Sequence, residues 1–289
     1  MSTVLHWLSR RSLGFLHGLG AVLGWAAYAF SAGYRRRLRA NAALAGIGPA
    51  ERRAAVAHAG RMVAETPCLW LRPAAQPLAP AVQWRNAERI EQALAAGRGL
   101  VLLTPHLGAF EVIAQAYAER FGARQPMTAL YRPARHAWLR ELEQTARHRP
   151  GLLTAPASLA GVRQMLRALR HGQTVGMLPD QVPPDGMGVW VPFFGQPAYT
   201  MTLASRLVQQ TDAVPLGVIG ERLAHAAGWR MHVFDLPEPL PAPAAFAGDD
   251  LAHQAECAAV MNRAMEFLIR QCPAQYLWGY HRYKAPRPS

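Results

Sequence analysis

Two residues in this chain of 289 have the types and spacing for acid–base chemistry: His106 and Glu111, in the stretch Gly99-Leu-Val-Leu-Leu-Thr-Pro-His-Leu-Gly-Ala-Phe-Glu. A neutral imidazole takes a proton from a hydroxyl group near pH 7. A carboxylate beside the ring fixes its tautomer and stabilises the imidazolium once the proton has moved. The apolar run 100–103 reads as a buried parallel strand, broken by Pro105 and Gly108. A helix pattern follows from about Ala109. His106 is thus expected at a strand-to-helix turn, with Glu111 in the first helical turn, where the helix dipole favours a carboxylate. Backbone N–H groups near Gly108 and Ala109 are the expected oxyanion donors. An ordinary turn histidine followed by a helix-start glutamate fits the same two residues. No convincing Gly-x-Ser-x-Gly nucleophile elbow is found.

The elements needed to hold such a turn can be read along the chain. Residues 40–71 are alanine-rich with helical spacing and end in a proline-rich stretch. A helix is expected over 87–96, closed by Gly97 and Gly99. After the helix that follows His106 comes a strand over 127–131, then a helix over 135–147. A short strand at 152–154 precedes a helix capped by Ser158 and stopped by Gly172. Strands are expected at 175–178, 213–219 and 230–234, extended chain at 189–194, and helices at 201–210 and 249–271. Strands alternating with helices imply an α/β fold, a largely parallel central sheet flanked by helices.

Other residues join the candidate site through their chemistry and position. Asp180, in Leu-Pro-Asp-Gln after a strand, is expected in a loop at the same sheet edge as His106; an aspartate capping a turn fits too. Arg132, Arg147 and Arg149 offer guanidinium forks for phosphate, and a solvated basic helix end accounts for them equally. His281, Arg282 and Lys284 end a segment rich in Tyr and Trp, and are expected near phosphates or a lipid surface. Tyr276 and Trp278 suit packing.

The His-x4-Glu turn, with Leu178-Pro-Asp180-Gln, Val191-Pro-Phe-Phe-Gly195 and the block from Gln275 to Lys284, resembles the late acyltransferases of lipid A biosynthesis (lauroyl/myristoyl type). These lie within the His-x4-Asp/Glu group of glycerolipid-type acyltransferases. The resemblance covers nearly the whole chain. It implies O-acylation of a lipid A precursor by an acyl thioester, acyl-acyl carrier protein or acyl-coenzyme A, with no cofactor and no metal. It assigns His106 and Glu111 to catalysis and Asp180, Arg147, Arg149 and Arg132 to substrate, Arg147 being the best match to a functional family arginine. Val182 departs from the pattern, because many relatives carry a second acidic residue there. An arginine typical of the glycerolipid branch is missing from this block, which argues against glycerol-3-phosphate as acceptor. An acyltransferase for another glycolipid, such as a phosphatidylinositol mannoside, and a noncatalytic lipid-binding membrane protein are the competing functions.

Bulk properties agree with a membrane setting. The formal net charge is +13 and 51% of residues are hydrophobic, so the chain suits anionic lipid, phosphorylated substrate or an acidic carrier protein. No nucleic-acid-binding motif accompanies the charge. Three widely spaced cysteines, Cys68, Cys257 and Cys272, read as reduced thiols rather than as a disulfide framework. Residues 13–34 lack Asp, Glu, Lys and Arg, with Arg10 and Arg11 before and Arg35, Arg36, Arg37 and Arg39 after. That length suits a helix crossing a bilayer, which needs roughly 20 apolar residues. A cleaved signal peptide and an interfacial helix are the alternatives. The expected organisation is a membrane anchor with its basic flank over 1–39 and an acyltransferase domain over 40–289. The heavier positive flank places that domain on the cytoplasmic side of a bacterial inner membrane.

Overall fold

The computed structural model describes residues 2–131 and 149–287. A seven-stranded sheet forms its centre, in the order β1-β9-β8-β2-β5-β3-β4. The strands are β1 (Gln83–Arg85), β2 (Leu100–Leu103), β3 (Met127–Tyr131), β4 (Leu152–Pro156), β5 (Thr174–Met177), β8 (Val214–Arg222) and β9 (Trp229–Asp235). Every pairing is parallel except β8 with β9. β2 lies between β8 and β5, and all four of its residues are buried, as its unbroken apolar run requires. A separate antiparallel hairpin joins β6 (Gly188–Phe193) to β7 (Gln196–Met201). The fold is thus the expected α/β arrangement. β1 and β7 are additions: three residues are too few to show a period, and Gln196–Met201 reads as the approach to a helix.

Helices cover both faces of the sheet: α5 (Glu88–Ala95), α6 (Phe110–Phe121), α7 (Leu159–Arg170), α8 (Leu203–Thr211) and α9 (Asp250–Gln271). Their boundaries follow local chemistry. The Ser158 hydroxyl accepts from Gly161 N–H at the start of α7, and Gly172, at φ 71°, follows its end. Asp249 caps α9 through Ala252 N–H. The helix expected over 135–147 lies outside the described residues.

The N-terminal region contains α1 (Ser2–Ser9), α2 (Leu13–Phe30), α3 (Ala32–Leu44) and α4 (Pro49–Trp70). The apolar stretch does not run on to residue 34. Ser31 ends α2 and caps α3 through Tyr34 N–H, which turns the chain before the arginine cluster. α2 is one helix long and apolar enough to cross a membrane, with mean hydropathy 1.4. It also packs closely along α4. Cβ atoms on Gly20, Gly24 or Gly60 would collide with backbone of the facing helix, so only glycine permits this approach. His17 of α2 reaches the buried Glu65 of α4 at 2.9 Å. On its other side α2 exposes Phe15, Val22, Leu23, Trp25 and Phe30.

Candidate active site

The carboxyl ends of the adjacent parallel strands β2 and β5 create the site. Leu103 stands opposite Met177, and Thr104 N–H donates to Met177 C=O at 3.1 Å, so the two following loops leave the sheet side by side. Open parallel sheets bind ligands at this edge. One loop carries His106 and the other Asp180.

Asp180 holds His106 at two points. Its Oδ2 accepts from the His106 backbone N–H at 2.9 Å, and its Oδ1 lies 2.6 Å from Nδ1. The carboxylate is 1% exposed. Burial alone would raise its pKa; the charge and hydrogen bonds of His106, and beyond them Arg282, hold it below the usual carboxylate value. An ionised carboxylate only accepts, so Nδ1 carries a proton, and when the ring is neutral the lone pair is on Nε2. Among the described residues, no hydrogen bond engages Nε2. The Phe110 ring meets the imidazole edge-on at 4.9 Å. The imidazole is oriented and tautomer-locked from behind, which leaves Nε2 as the basic nitrogen of the neutral ring.

That is the task expected of Glu111, and here the structure corrects the sequence reading. Glu111 lies in the first turn of α6 but accepts from the Trp70 indole N–H at 3.2 Å. Asp180, expected on the substrate, sits behind the imidazole instead. The expected oxyanion donors also change. Gly108 N–H donates to Gln275 C=O at 2.9 Å and Ala109 N–H to Gly220 C=O at 2.7 Å, so both are already used. These bonds hold the turn rigidly. Gly108 has φ 59°, and a Cβ there would strike the Gly220 carbonyl.

Behind Asp180 is a buried polar layer. Tyr276 is buried near Asp180, and burial followed by the aspartate's charge pushes the phenol pKa well above 10. Arg282, 2% exposed, donates to Tyr199 C=O at 2.6 Å and Thr200 Oγ1 at 2.7 Å. It therefore ties the C-terminal segment to β7 instead of meeting phosphate, contrary to expectation. Trp278 is buried, as packing requires.

Arg149 differs from expectation too. Its guanidinium donates to the carbonyls of Leu69, Arg72 and Pro73 at 2.9, 3.0 and 3.4 Å, closing the C-terminal end of α4. Burial, then the neighbouring charge of Arg72, brings its pKa down to about 10. Arg132 and Arg147 lie outside the described residues.

A second buried cluster supports the turn from the other side. Arg222 of β8 forks onto Glu65, with Nε 2.9 Å from Oε2, and donates through Nη2 to Gly108 C=O at 3.0 Å. Glu65 also meets His17 and the Trp229 indole. Sequence reasoning passed over Glu65 and Arg222. The available signal was the lone glutamate amid the apolar residues that end α4.

An apolar groove of about 510 Å³ lies against the site. Leu23 and Ala27 of α2 and Met62 and Val63 of α4 line it, with Leu277 and Gln181. Gln181 follows Asp180 directly, and Leu277 N–H donates to His106 C=O at 3.2 Å, so one end of the groove adjoins the His106 turn.

The sequence pattern of the bacterial lipid A biosynthesis acyltransferases matches residues 5–285. The chain belongs to that family. It is 27% identical over 194 residues to a lipid A biosynthesis acyltransferase of Haemophilus influenzae, covering 66% of this chain and 55% of that protein. It is 25% identical over 229 residues to the lipid A biosynthesis palmitoleoyltransferase of Escherichia coli, covering 78% and 68%. With the lauroyltransferase of E. coli it shares 27% identity over 203 residues, covering 70% and 61%. The match thus spans little more than half the length of the Haemophilus relative. These family relations agree with the resemblance carried by the His106 turn and the later motifs.

Proposed function

We propose that this protein transfers a fatty acyl chain from an acyl thioester, acyl-acyl carrier protein in preference to acyl-coenzyme A, to a hydroxyl of a phosphorylated lipid A precursor. The observation that carries the reading is the His106–Asp180 pair, which leaves Nε2 basic beside an apolar groove. Nε2 takes the acceptor hydroxyl's proton as its oxygen attacks the thioester carbonyl. Asp180 stabilises the imidazolium that forms. The tetrahedral adduct then collapses, the C–S bond breaks, and the departing thiolate takes the proton from Nε2. No acyl-enzyme forms.

Glu111 adds a second carboxylate to the site, steadied by Trp70, and supports the cationic imidazolium electrostatically. Arg147 and Arg132 are assigned to the acceptor's phosphates. The groove between α2 and α4 takes an acyl chain; its apolar walls suit hydrocarbon. Residues 1–39 serve as the membrane-attaching part, with catalysis on the cytoplasmic side of the bacterial inner membrane. Mass spectrometry of lipid A from cells with and without the protein tests acceptor and acyl chain. In purified enzyme, His106→Ala is expected to lower turnover about 10²–10⁴-fold while remaining folded. Near-normal turnover would remove the mechanism.

A further inference from the structure

Away from the His106–Asp180 pair, the end of α4 carries a concentration of positive charge that acyl transfer does not use. Arg72 follows Trp70 by two residues, and its side chain is only 8% exposed. Its Nη2 donates to Gln115 Oε1 at 2.8 Å and lies 3.0 Å from Glu119 Oε1. Its Nε and Nη1 are buried with no acceptor among the described residues. Buried guanidinium N–H groups without a partner are costly, and their persistence points to an acceptor supplied from outside. Arg149 donates to the Arg72 carbonyl, so a second buried cation stands beside the first. Glu119 is the carboxylate paired with Arg72 and is itself partly exposed.

Arg72 lines a cleft of about 510 Å³ between the α1–α2 junction and the loop after α4. Arg10 and Arg11 line it as well, and among the described residues no Asp or Glu does. The rest of the wall includes Leu13, Leu78 and Trp229. The unpaired Nε–H and Nη1–H of Arg72 each suit an oxyanion oxygen, and two further arginines in the cleft add charge. The cleft also adjoins the first residue of α2, the helix with membrane-crossing length and polarity.

We propose that this cleft binds a phosphate group, that of an anionic phospholipid headgroup, with Arg72 at its base and Arg10 and Arg11 at its rim. The site seats the N-terminal helices on the membrane surface. It does not depend on the acyl-transfer reading: His106→Ala, which tests that reading, should leave phosphate binding unchanged.

The test uses the full chain in neutral detergent micelles and on phosphatidylcholine vesicles made with and without phosphatidylglycerol. Inorganic phosphate, titrated calorimetrically into the micellar protein, should bind and raise the thermal midpoint. Phosphatidylglycerol should strengthen vesicle flotation. Arg72→Lys keeps the charge but loses the planar guanidinium and its Nε–H, and should weaken both about ten-fold or more, in the range of a charge-assisted hydrogen bond. Arg10→Gln with Arg11→Gln removes two exposed charges without touching the buried core, and should weaken both as well. Arg53→Gln with Arg163→Gln removes the same charge at exposed positions outside residues 1–39, and should not. Binding of inorganic phosphate with no response to phosphatidylglycerol would keep the phosphate site and assign it to the free ion. The site is overturned if neither ligand binds, if folded Arg72→Lys binds both normally, or if the two arginine pairs weaken binding equally.

Discussion

The pairing of His106 with Asp180 decides how the candidate base works. Nδ1–H is committed to a buried carboxylate, so the ring cannot rotate or change tautomer without stranding that charge. Asp180→Asn keeps the shape but loses the charge that stabilises the imidazolium, and its amide can offer a donor to Nδ1 and favour the wrong tautomer. Turnover is expected to fall about 10²–10⁴-fold, as for loss of the base itself. Glu111→Gln keeps an acceptor for Trp70 and should lose much less. Steady-state kinetics on the two variants give the order, and a larger loss for Glu111→Gln would return the tautomer-fixing role to that residue. Arg149 makes a contrasting case. Arg149→Ala leaves three carbonyls at the end of α4 without their donor. Hydrogen bonds to charged groups are worth about 1.5–3 kcal/mol each. The expected result is a lower thermal midpoint with KM nearly unchanged in the protein that remains folded; a selective rise in KM would restore Arg149 to substrate binding.

Among the elements, α2 stands out because its composition and its packing point in different directions. Its apolar sequence and length suit a bilayer, yet its glycines press it onto α4 and His17 buries an ion-pair partner. The apolar residues on its outer side are those left for lipid. α4 in turn reaches the His106 turn through Glu65, Arg222 and Gly108. A side chain at Gly60 has nowhere to go, since it meets the α2 backbone at Gly20 and Gly24. Gly60→Leu should force α2 from α4, open the groove next to Gln181 and destabilise the protein by several kcal/mol, as overpacking with loss of a buried pair does. Thermal melts and protease susceptibility after residue 30 would register the change. A folded Gly60→Leu variant with an unaltered midpoint would show that this helix contact is dispensable.

For the molecule as a whole, buried charge makes stability depend on pH. Burial would raise the Glu65 pKa, but Arg222 and then His17 hold it below the ordinary 4.5; Asp180 is likewise held below 3.8. Depressed carboxylates stabilise the fold above the unfolded-state pKa, and that stability is lost as pH falls through the folded value. His58 works in the same sense by another route. Burial, then the charges of Arg222, Arg61 and His17, push its pKa from 6.5 to about 3. Unfolded His58 takes up a proton below pH 6.5 that the folded chain refuses until about pH 3, so stability declines across that window. The thermal midpoint should be highest above pH 6.5, fall gradually below it, and drop more steeply below pH 4.5 as Glu65 and Asp180 titrate. Circular-dichroism melts over this range check it, and a midpoint constant from pH 7 to pH 4 would contradict the arrangement of buried charges.

What the sequence determined by itself is local or repeated along the chain. The apolar run of β2, the Ser158 and Asp249 caps, the period of α9 and the apolar composition of α2 each act through neighbours a few residues away. The His106 turn was legible because its strand, proline, glycine and helix adjoin it. The partners were not. His106 and Asp180 are 74 residues apart, and their contact exists because β2 and β5 pair in one register and release their loops together. Glu111, only five residues from His106, lost that place since it starts α6 beside Trp70. The same holds for the basic residues. Arg149 and Arg282 carry the charge expected of phosphate ligands, but folding turns them onto buried carbonyl and hydroxyl oxygens, whose need for donors is invisible until the chain is packed. Residue type set what each side chain is able to do; the tertiary arrangement decided its partner, because hydrogen bonds and ion pairs depend on separations of about 3 Å that only the packed sheet and helices establish.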